Sequence, residues 1–192
     1  MTTAAVIRLR TIDLPAHTVL DLLQRTAGDG VPPFSLERRV AWVIRWRDPD
    51  ASARARITRP GILHNPNKES LTVLTSWDAP LVPSGPADAI VVVWSRDRVG
   101  RLELEAALGG STDALDDAER VTLWWLRATG SAAPADALQA FAREVAMVRD
   151  RRHGLLIHPH MAMGVVLSGA PTLGAITRSL WPHTEEVEAM TQ

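Results

Sequence analysis

Histidine is the side chain in this sequence best placed to carry chemistry near neutral pH, and three of the six cluster: His153, His158 and His160, with His64 at a similar Gly/Pro-rich position earlier in the chain. The spacing H-x4-H-x-H with Asp150 beside it offers two imidazoles and a carboxylate to a divalent ion. No HExxH pattern accompanies it, and a proline between two histidines does not put them on a common face, so surface or interface histidines are the reading taken and no metal is expected. His17, next to a predicted helix start, has the chemistry of a general base toward a ribose hydroxyl. Arg54, Arg56 and Arg59 are the densest basic cluster, suited to an RNA backbone. Cysteine is absent, which removes thiol catalysis and thiolate metal sites. There is no P-loop, G-x-G-x-x-G or G-x-S-x-G, so no cofactor is expected. The acidic pairs Asp116/Asp117 and Glu185/Glu186 read as solubilising residues of exposed turns or tail.

The 192 residues carry 21 basic and 22 acidic side chains, the basic ones being twenty Arg and a single lysine, Lys68. Divided at Pro86 the halves are +3 and −4, too weak an asymmetry for generic DNA binding. No stretch approaches the roughly 18 apolar residues that cross a bilayer, and the N-terminus lacks a signal-peptide pattern, so a cytoplasmic protein without membrane contact is expected.

The elements that must hold these residues come in two similar sets. Strand-like runs 6–10 and 90–94 each lead to an aspartate, Asp13 or Asp97, placed to cap a helix. Arg38, Trp42, Ile44 and Arg45 correspond to Arg120, Trp124, Leu126 and Arg127 at an offset of 82, and alternation gives a half-buried strand with Val40, Trp42, Ile44 and Trp46 on one face. Residues 59–67 match 152–160 at an offset of 93, each followed by another strand, while the first strands match at 84. The longer interval in the second half holds a helix over 134–151; the first half has only 48–58 there. The inference is a tandem duplication of a ferredoxin-like β-α-β-β-α-β unit, an α+β fold of antiparallel sheets with helices on one face. The units span 1–76, with a reduced second helix, and 88–168. Residues 77–87 form a Pro-rich linker and 169–192 a tail with a helix over 173–180. The strand tryptophans are expected to be core.

Leu63, Asn65, Pro66 and Glu69, within Ile62 to Val73, resemble the Leu-Leu-x-Asn-Pro-x-x-Glu segment entering the last strand of the small PurS-type subunit of phosphoribosylformylglycinamidine synthase. In the second half Leu155, Leu156 and Pro159 match, with His158 in place of Asn and Ala162 in place of Glu. The family's Asp-Pro-x-Gly turn after the first strand is missing, and the chain has about twice the length of one such subunit. That resemblance implies a ferredoxin-like fold and a non-catalytic bridge between enzymes. The expected function is therefore an assembly or adaptor subunit whose partners are other protein subunits or a second copy, met through His64, Asn65, Asn67, Lys68, Glu69, His158 and His160. The alternative is RNA binding or processing through His17, Arg54, Arg56 and Arg59.

Overall fold

The computed structural model describes residues 2–10, 14–27, 29, 31–47, 55, 57, 59, 61–81, 89–110, 115–129, 135–146, 156–158 and 160–182. Six strands, β1 (Thr2–Arg10), β2 (Phe34–Trp46), β3 (Glu69–Leu74), β4 (Ala89–Ser95), β5 (Leu115–Ala128) and β6 (Ala162–Ser168), form one sheet in the order β3-β1-β2-β5-β4-β6. Among the described residues the helices that accompany them with full bounds are α1 (Leu14–Thr26), α2 (Gly100–Leu108), α3 (Ala135–Ala146) and α4 (Leu173–Leu180). Every neighbouring pair is antiparallel.

This order reads the same from either edge once β1, β2 and β3 are equated with β4, β5 and β6. At the centre, Arg38 stands opposite Trp124 and Trp42 opposite Arg120, so Val40 pairs with Thr122, its own counterpart at the offset of 82. The outer pairings follow the same rule with one correction. Val6 faces Trp42 and Val91 faces Trp124, while Arg10 faces Glu69 and Ser95 faces Ala162; both put the first strands at an offset of 85, not 84. A slip of one residue would have turned every side chain to the other face.

Each half contributes one long strand, of 13 or 14 residues, where a β-α-β-β-α-β order asks for two. The neighbouring position in the sheet is taken by the long strand of the other half, so the halves share a single sheet. Both faces of its centre are covered. That is why Ala41 and Val43 are as buried as Trp42 and Ile44, where alternation alone predicts a half-buried strand, and why β4 is apolar at nearly every position. On one face α1 and α3 pack Leu23, Leu138 and Phe141 over Phe34, Trp124 and Leu126, and α2 packs Leu104 and Leu108 with Ile57 and Leu63 over Trp42, Ile44 and Trp46. The tail helix α4 lies on the opposite face, so helices are not confined to one side. Its Leu173, Ile176 and Leu180 are fully buried against Val43, Val92 and Val121, each contributing about 1.5–3 kcal/mol by leaving water.

Helix ends follow local chemistry. Thr172 caps α4 by accepting the Ala175 N–H. Gly109, at φ 82°, closes α2 in the left-handed conformation that glycine adopts without cost. Asp97 does not cap α2: the helix starts after Val99, which supplies no side-chain cap, and the Asp97 N–H donates instead to Ser95 Oγ. Asp13 lies outside the described residues. Of the 77–87 segment, residues 77–81 are described, and they are anchored. Leu81 is buried and its N–H donates to Pro171 O, while Gly174 of α4 sits so close to Trp77 that a Cβ there would stand 2.2 Å from its indole nitrogen.

Candidate functional site

Both sheet edges are entered through the same turn. In the first half the Asn67 N–H donates to Asn65 Oδ1 at 3.0 Å, and the Lys68 and Glu69 N–H groups donate to Asn65 O at 3.0 and 2.8 Å. In the second half the His160 N–H donates to His158 Nδ1 at 3.4 Å, and the Met161 and Ala162 N–H groups donate to His158 O at 3.0 and 2.8 Å. Asparagine favours this arrangement because its carbonyl reaches the backbone two residues on. Glu69 adds a clasp by accepting the Asn65 N–H at 2.9 Å, for which Ala162 has no equivalent.

Asn65, Asn67 and Lys68 are exposed, Glu69 opens β3, and His64 is half-buried with an Nδ1 that has no hydrogen-bond partner. His158 and His160 are exposed, with ring centroids 5.7 Å apart. The two turns precede β3 and β6, which are opposite edges of the sheet, so the first-half and second-half residues form two sites and not one. The Asn65 side chain is held by a single exposed hydrogen bond; Asn65→Ala is expected to cost about 1 kcal/mol in urea unfolding, the usual worth of one such bond.

Of the residues singled out for RNA, His17 and Arg59 are described, and they stand on different parts of the fold. His17 is exposed on α1, whose core contacts are with Phe34 and α3, whereas exposed Arg59 adjoins the Ile57 and Leu63 cluster under α2. Arg54 and Arg56 lie outside the described residues, as do Asp150 and His153. Trp42, Trp46, Trp94, Trp124 and Trp125 are all buried in strands, as expected of core residues, and have no free face for a base. Among the described residues no group of three or more His, Asp or Glu side chains is placed to hold a metal ion.

Asp116 and Asp117 are not in an exposed turn. They belong to β5, and Asp116 accepts ion pairs from Arg45 at 3.3 Å and Arg47 at 3.6 Å across the β2–β5 joint.

The most perturbed group among the described residues was not singled out from the sequence. Glu119 is 2% exposed, and burial pushes its carboxyl from 4.5 up to about 7 against the opposing pull of the Arg98 guanidinium and the Arg120 N–H. Arg98 Nη1 stands 3.9 Å from Glu119 Oε2; the same side chain donates to Leu180 O at the end of α4 and lies 5.9 Å over Trp94. Its backbone takes φ 53°, a left-handed conformation costly for a residue with a Cβ. These contacts hold it there and tie α4 to the loop between β4 and α2. Glu119 borders a cleft of about 270 Å³ with Ser95, Glu103, Arg120 and Thr122. The signal was present: Glu119 is in step with Val121, Leu123 and Trp125, an acid on the apolar side of a strand.

No protein-family model matches the chain, and no curated protein matches it either. No helix among the described residues is long and apolar enough to cross a membrane.

Proposed function

We propose that this protein is a non-catalytic assembly or adaptor subunit, built as a duplicated ferredoxin-like pseudo-dimer, that offers its two outer strands to other protein subunits or to a second copy of itself. The observation that carries this reading is the pair of sheet edges. Natural edge strands discourage pairing with charge, proline or bulges. β6, AMGVVLS, has neither charge nor proline, and β3, ESLTVL, has one charge, at its first residue. Val73 on β3 and Met163 on β6 are each 39% exposed. The matching register of the two halves supports a duplication, and the resemblance of the Asn65 turn to the PurS-type subunit, itself a bridge between enzymes, points the same way.

Sedimentation velocity tests the proposal. The wild-type chain, alone or after passage over native lysate, is expected to sediment well above its monomer mass, and the double variant Val73→Lys/Met163→Lys to return to monomer with unchanged circular dichroism. A wild-type chain that stays monomeric and retains nothing from lysate sinks it.

A further inference from the structure

We propose that Glu119 and Arg98 form a latch on the C-terminal end of α4, which keeps the helix on the sheet while the carboxyl is neutral and loosens when the carboxyl ionises. Glu119 stands on β5 opposite Val43 of β2 and two residues from Val121, and both valines are buried beneath α4. The end of the helix touches the elements on either side of that strand. Toward β2, the Arg45 guanidinium lies 5.2 Å from the Trp181 ring; beyond β4, the Arg98 guanidinium donates to Leu180 O. Because β5 runs between β2 and β4, residues 180 and 181 bridge the end of β5 that holds Glu119. Between these two anchors the glutamate is 2% exposed.

The charges around the carboxyl leave it near balance. Arg98 Nη1, 3.9 Å away, favours the ionised form, as does the Arg120 N–H. Burial opposes them, with the negative charges of Asp117 on the same strand and Glu103 on α2. The other cations of the surrounding elements have partners of their own: Arg45 of β2 pairs with Asp116 at 3.3 Å, the Arg120 side chain with Glu103 at 4.0 Å, and Arg178 of α4 lies 5.9 Å over Trp77. Helix α4 itself carries neither carboxylate nor imidazole. With the helix in place the carboxyl is held up at about 7, whereas hydration returns it to the ordinary 4.5.

Arg98 gives the latch its second state. Its left-handed backbone, at φ 53°, persists only while its contacts hold it, and lifting α4 removes Leu180 O from them. The lifted helix also admits water to Glu119, whose proton then passes to solvent. Opening therefore releases a proton between pH 4.5 and 7 and is favoured as pH rises, on the order of 70-fold from pH 5 to pH 8. What it uncovers is the apolar sheet face of Val43, Val92 and Val121.

Amide hydrogen exchange of the full chain tests the latch, with rates referred at each pH to those of unstructured peptides. The amides of Ile176 to Leu180 are expected to be less protected than those of Leu123 and Trp125 in β5, because the helix opens alone, and to lose protection about 70-fold from pH 5 to pH 8. Glu119→Gln is expected to abolish that loss while α4 stays less protected than β5. Arg98→Ala is expected to loosen α4 about tenfold at pH 5, the worth of one charged hydrogen bond. Equal protection of α4 and β5 means that the helix leaves only on global unfolding and overturns the latch, as does a pH dependence that survives in Glu119→Gln; α4 protection unchanged in Arg98→Ala overturns the part assigned to Arg98.

Discussion

Glu119→Gln is expected to stabilise the protein at pH 8 by about 3 kcal/mol and at pH 5 by less than about 1 kcal/mol. The carboxyl is buried, and its folded-state value of about 7 lies above the ordinary 4.5. Below pH 4.5 it is protonated whether the chain is folded or not, and it costs nothing. Between 4.5 and 7 the unfolded chain releases the proton while the folded chain keeps it, so wild-type stability falls as pH rises. Above 7 the full cost of a buried carboxylate is present, about 1.4 kcal/mol for each unit between the two values. The pull of Arg98, at 3.9 Å and with its guanidinium shared with Leu180 O and the Trp94 ring, is already contained in the folded-state value, which burial alone would push higher. Glutamine carries no titrating proton, so the variant should lose the slope between pH 5 and 8. Urea unfolding at half-unit steps of pH measures it, and superimposable wild-type and variant profiles would show that Glu119 is not the group responsible.

The sequence-based description was most accurate where the deciding contacts are local. Leu173 to Leu180 was delimited residue for residue, because Thr172 caps the helix, the apolar spacing is helical and Pro182 follows it. Gly109 and Gly110 marked the end of α2 for a similar reason. Non-local pairing was harder to see. Nothing in the composition of β2 or β5 says that each occupies the place of a second strand in the other half, and the alternation in β2 hid the burial of Ala41 and Val43 by α4. Asp116 looked like a turn acid because its partners, Arg45 and Arg47, are distant in sequence. The candidate turns divide in the same way. The hydrogen bonds of Asn65 follow from side chain and neighbours, whereas their placement at opposite edges depends on the order of six strands.

Trp125→Ala should be the most damaging single change, with a loss of about 4–5 kcal/mol, and the manner of the loss bears on whether the halves are separate folding units. Trp125 is 1% exposed at the centre of the sheet, opposite Glu37 of β2 on one side and Ile90 of β4 on the other. Removing a buried indole from a core that cannot close over the gap costs about 3–5 kcal/mol. The Arg39 guanidinium lies 4.2 Å over the ring and the Arg127 guanidinium 5.6 Å from it; a desolvated cation–π contact adds about 1–2 kcal/mol, and Arg39 is itself only 4% exposed. Trp125→Phe keeps a ring beneath both cations and should lose about half as much. The total approaches the whole stability of an ordinary domain. The same cluster joins Ala41 and Val43 of the first half to Ile90, Val92 and Leu123 of the second and to α4, so damage at Trp125 reaches both halves at once. Amide exchange should therefore show β1 and β3 losing protection together with β4 and β6, in one transition. Protection that persists in β1 and β3 after β4 to β6 have opened would mean that the first half stands alone, and that the long β2–β5 joint is an interface between domains and not the centre of one.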